Sequence, residues 1–275
     1  MKWIAAWLLA ACAGPALAQR ATPVDVAEIV AKNTAARGGA EAWRRIETMA
    51  WKGHVESANA RGHNLSFLLE QKRPDKTRFE IAAEGQKSIR AFDGSAGWRL
   101  RAAPGERPDI QPYAADELKF ARGAAVIDGP LMNYVAKGAS ITVAGVDAVA
   151  GRTAYVLDVR LPAGGANRLW VDAETFLELR HDREYRNPAG QLAIVTVSFG
   201  DYRTFEGLLL PMTIETGAMD GRPANRIVIE RVALNPALEA AAFAKPGPTS
   251  RRAGAVVVDT RPTAKANPIV PAGPQ

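Results

Sequence analysis

The chain has 275 residues, of which 47% are hydrophobic, 23% charged and 7% aromatic, and it carries a formal charge of +6. With a mean hydropathy of −0.12, these proportions exclude a disordered or collagen-like chain and a polytopic membrane protein. Lys and Arg are scattered rather than gathered on one aromatic-interleaved face; this speaks against nucleic acid as a partner and suits a solvated surface able to meet anionic lipid head groups.

Residues 1–18 read as a secretory signal. Lys2 supplies the positive start, Trp3 to Ala11 the short apolar stretch, Gly14-Pro15 the helix break, and Ala16-Leu17-Ala18 a small-x-small cleavage site before Gln19. That stretch is far shorter than the roughly twenty residues a bilayer needs, so the mature chain is expected to be exported, most simply to a bacterial periplasm. Leu9-Ala10-Ala11-Cys12 also resembles a lipobox, in which case an acylated Cys12 would come first and anchor the protein to the outer membrane. Cys12 is the single cysteine. Cleavage after Ala18 therefore leaves no disulfide, no thiolate nucleophile and no zinc–thiolate site.

Thr22-Pro23-Val24-Asp25 predicts a capped helix start, with Thr22 as N-cap, and Gly38-Gly39 predicts its stop. A second short helix is expected over 40–46, carrying Trp43. From Thr48 the period becomes alternating. Leu65, Phe67 and Leu69 share one side; Phe79 and Ile81 alternate with Arg78 and Glu80; Trp98 and Leu100 alternate with Arg99 and Arg101. Such alternation marks half-buried antiparallel strands, and Arg73-Pro74-Asp75, Ala83-Glu84-Gly85 and Asp93-Gly94 supply the turns. About five strands are expected by residue 101.

Pro104, Pro108 and Pro112 predict a loop over 102–112, followed by helix over 114–126, a break at Asp128-Gly129-Pro130 and a further turn over 131–136. Strands are then expected at 140–149, 152–161, 167–173, 176–187, 190–205, 208–217 and 225–234, with Tyr155–Leu161 and Leu192–Phe199 covered on both faces. Residues 247–275 read as a basic, Pro- and Ala-rich disordered tail. The expectation is a mainly β chain. A single domain over 19–246 forms one curved antiparallel sheet, an unclosed half-barrel whose concave side is covered by the N-terminal and mid-chain helices.

No motif for catalysis emerges. Gly94-Ser95-Ala96-Gly97 lacks nucleophile-elbow spacing, and no phosphate-binding glycine loop or dinucleotide fingerprint is present. His54, His63 and His181 read as surface strand histidines without a third ligand at metal spacing. Asp182 and Glu184, alternating with Arg180, Arg183 and Arg186, read as a solvated face. The expectation is a monomer that is not an enzyme and that needs no metal or cofactor. What remains is shape. A half-barrel can enclose an apolar cavity, and Trp51, Phe67, Leu69, Phe79 and Trp98 are either its wall or ordinary core.

Several segments are similar to the bacterial outer-membrane lipoprotein-sorting proteins, the periplasmic carriers of the LolA/LolB-like superfamily. The opening Gly38-Gly39-Ala40-Glu41-Ala42-Trp43, Lys72-Arg73-Pro74 at a strand end, and Asp93-Gly94 followed by Trp98 carry the resemblance in the first half. Trp170-Val171-Asp172-Ala173-Glu174-Thr175, Asp201-Tyr202-Arg203 with Leu210-Pro211, and Asn235-Pro236 with Phe243-Ala244-Lys245-Pro246 extend it, so that it spans about 25–246. The resemblance implies a lidded half-barrel that holds lipid or lipoprotein acyl chains and exchanges them with an inner-membrane release complex or an outer-membrane acceptor. It also implies that Arg73 hydrogen-bonds the lid in the closed state; read from the sequence alone, Arg73 is equally an exposed turn residue. An alternative on the same scaffold is an envelope-stress sensor module. Where the carriers place an aromatic shortly after the Arg-Pro, this chain has Thr77, with Phe79 nearest.

Overall fold

The computed structural model describes residues 25–57, 65–124, 126–162, 166–186, 192–218 and 223–247. The expected signal segment with Cys12, the second histidine His63, and the expected tail beyond Gly247 lie outside the described residues.

Helix α1 (Val26–Ala36) is capped by Asp25, whose carboxylate accepts from the Ala27 amide at 3.3 Å. The cap thus lies three residues after the expected Thr22, because Asp25 is itself a good acceptor directly ahead of the first helical residue. Gly38 and Gly39, at φ +106° and +86°, turn the chain into α2 (Ala40–Arg44). Both residues sit in the left-handed region that glycine tolerates.

Thirteen strands follow: β1 (Thr48–Ser57), β2 (Leu65–Lys72), β3 (Lys76–Ala83), β4 (Gln86–Phe92), β5 (Gly97–Ala102), β6 (Asp109–Pro112), β7 (Ser140–Val149), β8 (Arg152–Arg160), β9 (Ala166–Asp172), β10 (Glu178–Arg186), β11 (Leu192–Phe205), β12 (Leu208–Ala218) and β13 (Pro223–Leu234). They form one sheet of order β6-β5-β4-β3-β2-β1-β13-β12-β11-β10-β9-β8-β7, antiparallel throughout. Two meanders, β1–β6 and β7–β13, are joined by the pairing of β1 with β13, and β6 and β7 remain as free edges. The sheet is an unclosed half-barrel. At Gly53, beside a bulge after Lys52, a Cβ would lie 1.9 Å from the Val228 carbonyl oxygen, so only glycine lets β13 approach this closely.

One expectation is corrected. The proline-rich segment 102–112 contains the short edge strand β6, on which Pro112 is tolerated because an edge strand leaves one side of its ladder unpaired. Residues 127–138 are successive turns, in line with the break expected at 128–130 and the turn expected over 131–136. They continue from helix α3 (Ala115–Ala124), so the whole crossing from β6 to β7 links the two free edges and lies over the concave side.

Opposed residues of an antiparallel pair share a face, so the registers fix which side chains point inward. Trp51, Leu69 and Phe79 stand opposite one another on β1, β2 and β3, as do Phe67 and Ile81 on β2 and β3. They belong to the inner cluster with Trp43, Met49, Leu208, Leu210 and Met212, and with Ile127 and Met132 from the crossing. On the other meander α1 presses Ile29 and Val30 onto Leu157, Val159, Leu169 and Val171, with Leu131 between. β8 is covered on both faces as expected, since Ala154 and Val156 pack outward with Trp170. On β11, by contrast, Val197 is buried while its neighbours over 193–199 are half-buried.

Candidate functional site

The inner face has a packed end and an open end. At the packed end Trp43, Met49, Met132, Leu208 and Leu210 are almost wholly excluded from solvent. This base is closed by a polar latch. Arg73 follows β2, and its guanidinium donates to the Ile46 carbonyl (2.7 Å), the Trp43 carbonyl (3.1 Å) and the Asp128 carboxylate (3.2 Å). One arginine therefore ties the α2 end to the crossing segment. Asp128 also takes Lys137 Nζ at 2.5 Å, and that ammonium donates further to the Gly129 and Met132 carbonyls at 2.7 and 2.6 Å. Burial depresses the Lys137 pKa, and the Asp128 carboxylate only partly restores it. Arg37 completes the latch. It donates to the Asp128 carbonyl at 2.9 Å and lies 4.4 Å from the Trp43 ring centroid, while the Trp43 indole donates to its carbonyl.

Toward the hairpin tips the same face loosens. Leu65, Leu69, Phe79, Ile81, Ile214 and Ile227 are only half-buried, although they pack against the inner cluster. Leu65 and Ile81 line a cavity of about 510 Å³ whose remaining wall is mostly polar, with Gln86, Lys87, Ser88, Arg101, Glu106, Arg107 and Asp109 beside three alanines. Phe67 and Phe79 stand behind it with their ring centroids 6.0 Å apart.

Trp51, Phe67, Leu69 and Phe79 thus share the inner face. Trp51 and Phe67 are buried, and the Trp51 indole donates to Gln71 Oε1 at 3.3 Å. Trp98 is corrected. It stands opposite Ala91, whose own partner is Arg78, and so points to the outer face; there its indole donates to the Phe243 carbonyl at 2.9 Å, and it packs with Ile89 and Leu100. The cause is a change of polarity along the sheet. Phe79 pairs with Arg90 and Arg90 with Arg99, so from β4 onward the inner face carries arginines beside a single buried aromatic, Phe92, packed on Leu118 and Ala121 of α3. Ile89, Ala91, Trp98 and Leu100 form an apolar side turned outward. The inner arginines are met by α3, whose Glu117 carboxylate accepts from Arg90 and from Arg99 at 2.9 Å each.

The histidine reading is corrected as well. His54 lies on the surface, 2.8 Å from Glu230 Oε1. His181, however, stands opposite the wholly buried Leu169 and opposite Val197, and therefore faces the hollow. Its Nε2 lies 3.2 Å from Asn167 Oδ1. Burial, with the Arg183 charge next, lowers its pKa to about 3, so the imidazole is neutral near pH 7. Arg183 is two residues on, on the same inner face, opposite Asn167 and Val195. Arg180, Asp182 and the exposed Glu184 keep to the expected outer side, where Arg180 and Asp182 form a pair beneath which Trp170 lies 4.4 Å from the guanidinium.

The segments that carry the resemblance noted in the sequence are mostly turn chemistry. Asp172 accepts from the Glu174 and Thr175 amides and the Thr175 hydroxyl at 2.7–3.0 Å, and from Arg152. Burial alone would raise its pKa, but these donors outweigh burial and hold it below the usual carboxylate range. Asp93 caps the Ser95–Ala96 turn in the same way. Asn235 ties the end of the sheet to its start, accepting from the Glu47 amide at 2.8 Å. Sequence reasoning singled out none of Asp128, Lys137, Ile81 or Arg183 as site residues; Asp128-Gly129-Pro130 stood out only as a break.

The architecture is shared with solved structures. A LolA superfamily protein from Nitrosomonas europaea superposes with a TM-score of 0.53 at 13% identity, covering 81% of this chain and 99% of that one. The chain has a LolA-like fold. An outer membrane lipoprotein-sorting protein domain from Vibrio parahaemolyticus matches with a TM-score of 0.51 at 13% identity, over 78% of this chain and 94% of its own. A DUF1329 family protein from Desulfovibrio piger matches at 0.50 and 14% identity, over 80% and 97%. No family model matches the sequence, and no curated protein does. The likeness is thus one of fold, carried across sequences that have largely diverged.

Proposed function

We propose that this LolA-like half-barrel is a periplasmic, non-catalytic carrier that takes an acyl chain of a lipid or lipoprotein into the open end of its hollow. One observation carries the reading: half-buried apolar residues run from Phe79 and Leu69 to Leu65 and Ile81 and open into the 510 Å³ cavity. A surface lined in this way gains by covering itself with hydrocarbon, at about 0.8 kcal/mol per methylene buried. Fifteen methylenes amount to roughly 12 kcal/mol. A bilayer offers the same chain a comparable gain, so exchange is near neutral and its direction is set by the lid and by partner proteins. The Arg73–Asp128–Lys137 latch is suited to that control, since hydrogen bonds contribute about 1 kcal/mol each and can be exchanged for contacts with a partner.

The fold shared with a lipoprotein-sorting domain supports the same reading. The export signal expected at 1–18 fits a periplasmic site of action. Protein recovered from a bacterial periplasm and analysed by native mass spectrometry with lipid extraction is expected to carry acyl species in simple stoichiometry. Recovery of protein free of lipid, with no uptake of a fluorescent fatty acid, contradicts the proposal.

A further inference from the structure

Within a few strands the inner face passes from apolar to charged. Phe67, Ile81, Ser88, Arg101 and Asp109 stand in one row across β2 to β6, each opposite the next. Neighbouring strands lie about 4.8 Å apart, which puts Arg101 roughly 10 Å from Ile81 along one wall of the open-end cavity. The loop between β5 and β6 closes the far side. It folds back on the β3–β4 hairpin, where the Pro104 Cγ lies 3.2 Å from the place a Gly85 Cβ would take, and it brings Glu106 and Arg107 to the same cavity. The other cations of this wall are already engaged: Arg90 and Arg99 share the Glu117 carboxylate, and Lys87 Nζ lies 2.6 Å from Glu80 Oε1. The Arg101 and Arg107 guanidiniums and the Glu106 carboxylate, by contrast, have no hydrogen bond or ion pair among the described residues. Asp109 accepts only from the neutral Gln111 amide, at 2.9 Å. Two cations and two carboxylates thus share one exposed mouth without pairing with each other.

We infer that this mouth receives a zwitterionic lipid head, a phosphate joined to an ammonium, whose acyl chain runs from Ile81 toward Phe79 along the hollow. This rests on the carrier reading and adds the ligand class: a phosphoethanolamine-type lipid. Guanidinium forks match phosphate oxygens in charge-assisted, bidentate pairs, the stronger kind of hydrogen bond. The two carboxylates accept from the ammonium. A phosphate alone would satisfy the arginines but press further negative charge on Glu106 and Asp109. An uncharged head would cover all four groups and pair with none of them.

The test is displacement of the neutral probe N-phenyl-1-naphthylamine from the intact mature protein by three oleoyl lipids: lysophosphatidylethanolamine, lysophosphatidic acid and monoolein. The zwitterion is expected to displace the probe at least about tenfold more tightly than monoolein, and more tightly than the bare phosphate. In the double variant Arg101→Gln with Arg107→Gln, both phosphates should fall to the level of monoolein. In Glu106→Gln with Asp109→Asn, the order of the two phosphates should reverse. Monoolein should bind all three proteins alike, which shows that the hollow is intact in each variant. An unaltered protein that binds the zwitterion no tighter than monoolein, or no tighter than the bare phosphate, overturns the inference but leaves the carrier reading standing. So does an order of preference that either double variant leaves unchanged. Failure of the probe and all three lipids to bind overturns the carrier reading itself.

Discussion

The two ends of the hollow are built from the same strands and differ in how their apolar residues are satisfied. At the base, Leu208, Leu210 and Met132 are fully buried against Trp43 and locked beneath the Arg73–Asp128–Lys137 latch. At the tips, Leu65 and Ile81 have the same chemistry but are only half-buried and face a cavity. Packing at the base contributes stability, while the incomplete packing at the tips leaves a surface that a ligand can complete. The fold thereby separates the residues that hold the barrel together from those available for binding.

Substitutions should divide along that line. Asp128→Ala is expected to have the largest effect, because it leaves the Arg73 and Lys137 charges at the base without the carboxylate they share, whereas Arg37 keeps Glu178 at 3.7 Å. Breaking a buried pair in this way costs about 3–5 kcal/mol, readable as a lowered midpoint in urea. Leu210→Ala should follow at about 2–4 kcal/mol from a buried cavity. Ile81→Ala should cost about 1 kcal/mol, since much of its surface is already open. Equal costs for Leu210→Ala and Ile81→Ala would mean that the tips are packed as tightly as the base.

The pH dependence follows from His181. Its folded pKa of about 3 lies below the ordinary 6.5, so between these values the unfolded chain binds a proton that the folded chain does not. Stability is therefore fully present above the unfolded value and falls as pH drops through this window, by at most about 1.4 kcal/mol per pH unit. Urea midpoints at about pH 7 and about pH 4.5 should differ less in His181→Gln than in the unaltered protein. The smallest change is expected for Arg73→Leu. Asp128 keeps Lys137, and stability should move by about 1 kcal/mol, while a bound fluorescent acyl chain dissociates faster. An unchanged dissociation rate would reduce Arg73 to a tether between α2 and the crossing.

Most of the fold was legible in the sequence because a period of two residues is a local property. Leu65-Phe67-Leu69 and Phe79-Ile81 announce strands and their apolar sides, and every strand from β7 to β13 lies within a few residues of its expected range. Which side of the sheet an apolar row faces is not local. Trp98 alternates as clearly as Phe67, yet the pairing of Phe79 with Arg90 places the two on opposite faces. Charged strands conceal the same ambiguity. Arg180 and Arg183, three positions apart on one strand, must face opposite sides, and that Arg183 is the inner one follows only from the pairing of its face-mate His181 with Leu169 and Val197. Arg73 was legible through its Lys-Arg-Pro setting. Its partner Asp128 lies 55 residues away in sequence, and only the folded crossing brings the two together.

The central claim is that the open end of the hollow admits an acyl chain. The most direct measurement is a titration of the mature protein with an anthroyloxy-labelled stearate, run in parallel on Ile81→Glu. A carboxylate set in the cavity wall should repel the chain while leaving the base packed. The account predicts saturable binding near one chain per protein, lost in Ile81→Glu although that variant unfolds at nearly the same urea concentration. Non-saturable fluorescence, or identical binding by both proteins, would contradict it.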